Sequence, residues 1–382
     1  MTAHDFDTVI DRRQVPTSKW DRYPADVLPM WVADMDFAVA EPIVDALRTR
    51  LDHAVFGYGG PVTRALRELI AADMQDLHGW TISPADVVFL SGVVPGFNQA
   101  LKTVNRPGDR LVVETPVYPP ILAAAGHWDL ARVDVPVRPV ADGSGVDLDR
   151  LTVALEGAAA FLLCNPHNPT GRMRTRTELE AIANACLASD TVIVSDEIHC
   201  DIVYNGRRHV PIAALSPEIA RRTITLMAAS KTYNIAGLKT AYAIIPDAEL
   251  RQRFVAAHLG LSEGANVLGL VATEAALRHG RPWKAALLTY LEANRDHLMA
   301  RLATEIPEIR VAAPEATYLA WLDCSALDLG NAQKFFLDKA RVGFNPGADF
   351  GGKPDHVRLN FGCPRALLDD GIDRMVKALS QR

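Results

Sequence analysis

The sequence predicts an α/β protein: a three-layer αβα large domain on a mostly parallel sheet with one antiparallel strand, plus a smaller α+β domain. Three observations carry that prediction. Short apolar runs alternate with helix-period segments through the middle of the chain, as a parallel sheet with crossover helices requires. One interval between such runs is too short to hold a crossover helix. Beyond residue 275 the alternation gives way to one long helical stretch and isolated strand-like runs. A chain of 382 residues is long enough for two domains. The large one is placed at 41–274 and the small one is built from 1–40 and 275–382.

In chain order, a helix is expected after Pro61, with Val62, Leu66, Leu69, Ile70 and Leu77 on one side. The strand-like runs are Val87–Leu90, Leu111–Glu114, Ala160–Cys164, Val192–Ser195, Thr223–Met227 and Ala241–Ile245. The longest apolar segment, Ala158 to Cys164, fits a buried strand. Between the third and fourth runs Leu179, Ile182, Ala183, Cys186 and Leu187 recur at helical spacing, and Thr175 with Glu178 makes a capping box. From Thr223 to Ala241 the chain advances only 18 residues, and the polar SKTYNIAGLK segment lies within them. The last strand is therefore antiparallel, which leaves Lys231 in a loop at the carboxyl edge of the sheet, where ligands of such folds bind. A helix over Arg281–Thr304 leads to strand-like runs at Tyr318–Leu322 and His356–Phe361. Alternation there puts Arg358 and Asn360 on one face, with Leu359 and Phe361 on the other. An arginine held on a strand can clamp a carboxylate with two parallel hydrogen bonds.

Composition narrows the partners. A formal charge of −6 gives nucleic acid and anionic membranes no counter-charge. The opening MTAHDFDTVIDRRQ lacks the apolar core of a signal peptide, and no stretch approaches the roughly 20 apolar residues of a membrane span. Five cysteines (Cys164, Cys186, Cys200, Cys324, Cys363), an odd number without paired spacing, read as reduced thiols of a cytoplasmic protein. Cys200 neighbours Glu197, His199 and Asp201, yet no CxxC or HxxxH spacing supports a metal, and none is expected.

The ends of the strand-like runs carry the chemistry. Ser91-Gly92-Val93-Val94-Pro95-Gly96 follows one run and opens a helix, so its backbone N–H groups can hold a phosphate. The next run ends at Glu114-Thr115-Pro116-Val117-Tyr118, whose ring can stack on a flat ligand. Asn165-Pro166-His167-Asn168-Pro169-Thr170-Gly171 ends the third in an irregular loop that leaves Asn168 as a polar donor. Ser195-Asp196-Glu197-Ile198-His199 ends the fourth. The chain has 9 lysines among its 40 basic residues, and Lys231 sits in a short polar segment beside an apolar strand. A lysine amine and a carboxylate so placed suit pyridoxal phosphate: the amine forms a Schiff base with the aldehyde, and the carboxylate keeps the ring nitrogen protonated. Taken singly, each residue has an ordinary reading as turn, helix cap or core. Their joint occurrence in this order is hard to explain by turns alone.

NPHNPTG, SDEIH and SKTYNIAGLK, in that order, resemble the aspartate-aminotransferase superfamily of pyridoxal-phosphate enzymes, fold type I. FDTVIDRR with Lys19-Trp20-Asp21, MWVADMDF at 30–37, FGYG at 56–59 and VRLNFGCPR at 357–365 bring the chain closer to the cystathionine β-lyase, or C–S lyase, subgroup. The resemblance runs from about residue 6 to 365. It implies Lys231 as the Schiff-base lysine, Asp196 as partner of the pyridine nitrogen and Asn168 as partner of the phenolic oxygen. His199 falls where many relatives have a tyrosine near that oxygen, and Tyr118 where a ring stacks on the cofactor. Gly92, Val93, Val94 and Ser230 fall at the phosphate. Arg358 matches the arginine that binds the substrate α-carboxylate, with Trp31 also placed at the substrate. Tyr58 matches a tyrosine that reaches in from a partner subunit, which implies a homodimer. Two positions depart from the pattern: Ala228 replaces a Ser or Thr, and Lys239 replaces an arginine, keeping a charge for the phosphate but losing the fork.

The resemblance implies α,β-elimination from L-cystathionine or a related cysteine S-conjugate, giving pyruvate, ammonia and a thiol such as homocysteine. The alternative is an aminotransferase for aromatic or other neutral amino acids, because the same residues support both outcomes. A regulator or non-catalytic binding protein on this fold would need an added basic helix-turn-helix segment, for which the length leaves no room.

Overall fold

The computed structural model describes residues 4–57, 63–137, 145–258 and 264–382. Two compact units share the chain. One holds the N-terminal segment through Ala38, His167–Arg172 and Trp283–Arg382; the other holds Val39–Pro166 and Met173–Pro282.

In the first unit, β1 (Leu28–Pro29) pairs in parallel with β10 (Val342–Gly343). Three further strands, β9 (Leu319–Asp323), β11 (Asn345–Pro346) and β12 (His356–Asn360), form an antiparallel sheet with β12 in the middle. The expected runs at 318–322 and 356–361 thus fall on β9 and β12. The long α10 (Arg281–Glu305) buries Leu287, Leu291, Leu298 and Leu302 at helical spacing. Phe6 packs its ring against Phe37, Trp283 and Tyr290 at centroid distances of 5.2, 5.7 and 5.4 Å, which ties the N-terminal segment into this unit.

The second unit is the layered α/β body. Its sheet has the order β2-β8-β7-β6-β5-β3-β4, from β2 (Val87–Leu90), β3 (Arg110–Thr115), β4 (Ala131–Pro136), β5 (Ala158–Cys164), β6 (Val192–Asp196), β7 (Thr223–Met227) and β8 (Ala241–Ile244). Only β8 runs against its neighbours, as the short interval predicts. The helices are α1 (Glu41–Asp52), α2 (Arg64–His78), α3 (Val93–Val104), α4 (Pro119–His127), α5 (Leu148–Leu155), α6 (Arg176–Ala188), α7 (Pro217–Arg221), α8 (Ala248–Ala256) and α9 (Val267–His279). Leu111, Val113, Leu162, Val194, Ile224 and Leu226 face α3, α4 and α8, while Val112, Phe161, Leu163 and Ile193 face α5 and α6. Met227 and Ile244 meet Leu66, Ile70 and Met74 of α2 on that second side. Because both faces are buried, the strands read as continuous apolar runs.

Both expected helix starts carry a threonine cap. The capping box opens α6, with Thr175 N–H donating to Glu178 Oε2 (2.8 Å) and Glu178 N–H to Thr175 Oγ1 (3.2 Å). Thr63 caps α2, and Pro61 and Val62 lie outside the described residues. One strand escapes the apolar pattern: β4 alternates Arg132, Val133, Asp134 and Val135 at the open edge of the sheet and is largely exposed. Its final Pro136 is tolerated because an edge strand can lack a donor. Among the described residues no helix is long and apolar enough to cross a membrane, and the five cysteines are buried and form no disulfide.

Candidate active site

β2, β3, β5, β6 and β7 all point the same way, so the turns that follow them lie along one edge of the sheet. Asp196 is the last residue of β6, in register with Cys164 of β5 and Leu226 of β7. It is 4% exposed, and one carboxylate oxygen accepts the Ile198 N–H at 3.1 Å. Burial, reinforced by the neighbouring Glu197 charge, pushes its carboxyl up to about 7, while the Ile198 N–H and the Lys231 ammonium pull it down. Lys231 and Asp196 therefore sense each other's charge, although 35 positions separate them in the chain. Lys231 is half-buried on the turn after β7, which is closed by Tyr233 N–H to Ala229 O (2.9 Å) and Ile235 N–H to Ser230 O (3.0 Å). Buried Thr232 and Tyr233 anchor that turn from below.

Gly92 caps α3 without any side-chain hydrogen bond, so the N–H groups of Val93 and Val94 begin a 12-residue helix free of a competing side-chain cap. Gly96 brings that helix close to the sheet: a Cβ there would lie 2.7 Å from Leu90 Cδ1 and 3.0 Å from Leu226 Cδ2. Tyr118 stands at the start of α4, partly buried, and His199 is buried in the loop after β6. Ser230 is half-buried next to Lys231, whereas Lys239 is exposed in a left-handed conformation just before β8. Tyr58 lies outside the described residues.

Glu197 and Arg174 have no assigned role in the sequence analysis, and both brace this edge. Fully buried Glu197 accepts from Ser195 Oγ (2.8 Å) and the Ile212 N–H (3.2 Å) and pairs with His209 Nε2 at 2.6 Å. Arg174 pairs with Glu114 at 2.5 Å, and its N–H donates to Asn165 Oδ1 at 3.0 Å.

In the smaller unit, Arg358 on the middle strand β12 is 3% exposed. Its Nη1 donates to Asn168 Oδ1 (2.8 Å), and its Nη2 donates to the Trp31 carbonyl (2.8 Å) and Asn345 Oδ1 (2.7 Å). These three acceptors are uncharged groups, and they fix the plane of the guanidinium. Trp31 touches Arg358 through its backbone oxygen; its indole Nε1 donates to Lys19 O at 3.1 Å, and the Arg22 guanidinium covers the ring at 4.3 Å. Asn168 belongs to this unit through the 167–172 loop, whose Gly171 carbonyl accepts from Glu315 and Ala316 N–H, both at 2.9 Å. Gly171 has φ +69°, and a Cβ there would meet Pro314 Cβ at 2.7 Å, so glycine is required twice over. Asn345 is absent from the sequence prediction, since nothing local marks an asparagine on a two-residue strand as a partner of Arg358.

A burial-raised carboxylate beside an amine, and an uncapped helix start, fit the three groups of pyridoxal phosphate: pyridinium, aldehyde and phosphate. The family described as aminotransferase class I and II matches residues 25–375. The chain belongs to this family. Cystathionine beta-lyase PatB of Bacillus subtilis (strain 168) is 39% identical, covering 98% of this chain and all of that protein. Among solved structures, OvoB is 41% identical with a TM-score of 0.94, covering 99% of this chain and 100% of its own. The PLP-bound C-S lyase from Staphylococcus hominis is 32% identical with a TM-score of 0.93, again over 99% and 100%. Pyridoxal 5'-phosphate is the cofactor that this class I and II aminotransferase chain uses.

Proposed function

We propose that the protein is a pyridoxal-phosphate-dependent carbon–sulfur β-lyase that cleaves L-cystathionine or a related cysteine S-conjugate to pyruvate, ammonia and a thiol. The observation that carries this reading is end-to-end similarity to a protein named cystathionine beta-lyase, in a chain whose buried Asp196 ends the strand paired with the one that leads into Lys231. The larger unit is the cofactor-binding domain. In it the Val93 and Val94 N–H groups, Gly92, Ser230 and Lys239 hold the phosphate, and Tyr118 stacks on the ring. Asp196 holds the ring nitrogen protonated, Asn168 and His199 hold the phenolic oxygen, and Lys231 bonds the aldehyde. When bound, the cofactor supplies an electron sink for the substrate α-carbon. Arg358 holds the substrate carboxylate through its fork, with the Trp31 segment beside it. Lys231 Nζ would act as the general base for the substrate α-proton. The Asp196 carboxylate keeps positive charge where negative charge develops, the electrostatic contribution that lowers the barrier most. The enzyme is a cytoplasmic homodimer in this reading, with Tyr58 contributed by the partner subunit.

Purified enzyme given L-cystathionine is expected to release pyruvate with no keto-acid acceptor present. Product formation that requires an acceptor would move the assignment to an aminotransferase.

A pH prediction follows from Asp196. Its folded-state value of about 7 lies above the unfolded 3.8, so in cofactor-free protein the folded state binds the extra proton between those values. Stability from this group is therefore present at low pH and declines as pH rises toward 7. Relative to Asp196→Asn, the wild type is expected to lose about 3 kcal/mol between pH 5 and pH 8 in urea unfolding of the apoprotein. A difference that does not change with pH would show that burial does not govern this carboxyl.

A further inference from the structure

Lys19, Arg12 and Asp36 form an ion cluster that none of the roles above uses. Lys19 Nζ lies 2.7 Å from Asp36 Oδ2 and donates to the Asp34 carbonyl at 3.2 Å. Arg12 Nη1 meets Asp36 Oδ1 at 2.8 Å and the Met35 carbonyl at 2.9 Å, and the Trp20 indole N–H donates to the same Asp36 Oδ1 at 2.9 Å. The Lys19 and Asp36 side chains are 1% and 3% exposed. Burying such a pair is weak evidence for stability, because well-packed apolar residues often serve as well. What the cluster does specify is position. Burial works against the Lys19 charge, but the carboxylates of Asp36 and Asp34 outweigh it and hold the ammonium protonated.

The cluster grips one side of the Trp31–Asp36 segment, and β12 grips the other. Asn360 Nδ2 donates to the Val32 and Asp34 carbonyls at 2.7 and 2.6 Å, and Asn360 N–H donates to Met30 O at 3.0 Å. Asp36 N–H donates to Gly362 O at 3.0 Å, and Gly362 N–H returns to Asn360 Oδ1 at 2.8 Å. Gly362 leaves no slack, since a Cβ there would lie 2.8 Å from Met35 Cγ. The Lys19 carbonyl also holds the Trp31 indole. The segment so clamped ends in the Trp31 carbonyl that accepts Arg358 Nη2.

We propose that Lys19, Asp36 and Arg12 are positioning residues that aim the Arg358 guanidinium at an α-carboxylate, acting through the Trp31 carbonyl. This rests on the reading above, in which Arg358 binds that carboxylate. The FDTVIDRR, KWD and MWVADMDF motifs thereby act together to fix a backbone oxygen against which the arginine is oriented.

The test is equilibrium binding to holoenzyme of L-methionine, whose sulfur is not on the β-carbon, and of 3-(methylthio)propylamine, which is methionine without its carboxyl group. Binding is read from the visible absorbance of the bound cofactor. Wild type is expected to prefer methionine. In Lys19→Met the preference should fall at least tenfold, with amine binding changed less than twofold. Arg12→Gln, at a partly exposed residue, should fold normally and lower the preference at least threefold. The double variant Lys19→Met/Asp36→Asn keeps charge balance and should behave as Lys19→Met does. An unchanged preference, or equal weakening of both ligands, overturns the proposal; if the Lys19 variants do not fold, Arg12→Gln decides alone. Wild type that shows no preference for methionine sinks both the Arg358 role and this inference. Wild type that prefers methionine but releases no pyruvate from L-cystathionine sinks the lyase reading alone.

Discussion

Lys231→Ala is expected to strip the visible absorbance of bound pyridoxal phosphate from the purified enzyme and to abolish pyruvate release from L-cystathionine. Alanine can neither bond the aldehyde nor take the α-proton. The loss of positioned proton transfer alone costs about 10²–10⁴ in rate, and loss of covalent attachment adds to it. The fold should survive, because the turn that carries Lys231 is closed by backbone bonds at Ala229 and Ser230 and anchored by Thr232 and Tyr233. A circular dichroism melt close to that of wild type would verify this. Removing the ammonium also removes one of the influences that lower the Asp196 carboxyl, so Asp196 should titrate higher still in the variant. A Lys231→Ala protein that keeps both the absorbance and the turnover would refute the assignment.

Arg358→Ala should be the second most damaging change. The substitution removes a buried cation and leaves Asn168 Oδ1, Asn345 Oδ1 and the Trp31 carbonyl without the donor they share. Truncating one partner of a buried, hydrogen-bonded charge pair costs about 2–5 kcal/mol, which corresponds to roughly 30- to 5,000-fold in kcat/KM. Arg358→Lys should recover only part of this, since an ammonium keeps the charge but cannot reach three acceptors and a carboxylate in one plane. Steady-state kinetics with L-cystathionine decide the matter: unchanged kcat/KM in Arg358→Ala would remove the arginine from substrate binding.

The elements legible in the sequence are those whose cause is local. β5, β6 and β7 are buried on both faces, so their apolar runs stand out without reference to any neighbour. The α6 start is written in Thr175 and Glu178, one helical turn apart and bonded to each other. The antiparallel direction of β8 follows from chain length alone: 18 residues from Thr223 cannot supply the polar loop and a crossover helix together. β4 is not legible because an exposed edge strand needs only one apolar residue facing inward, and Val135 is its one buried position. Lys239 illustrates a different limit. Its charge is plain in the sequence, but its exposure at the end of a 3-10 turn is not.

By itself the sequence determined the α/β layering, the antiparallel strand, the polar groups Lys231, Asp196 and Asn168 in the segments that end the strands, and Arg358 within a strand of the smaller unit. Each of these follows from periodicity, spacing or motif within a few residues. Only the tertiary structure decided that Arg358 is held by Asn168, Asn345 and the Trp31 carbonyl, and that Lys19, Arg12 and Asp36 clamp the segment carrying that carbonyl. The physical reason is that a hydrogen bond between residues 190 or 327 positions apart, as for Arg358 with Asn168 and with Trp31, is set by packing and strand register. Neither leaves a trace in local amino-acid preference.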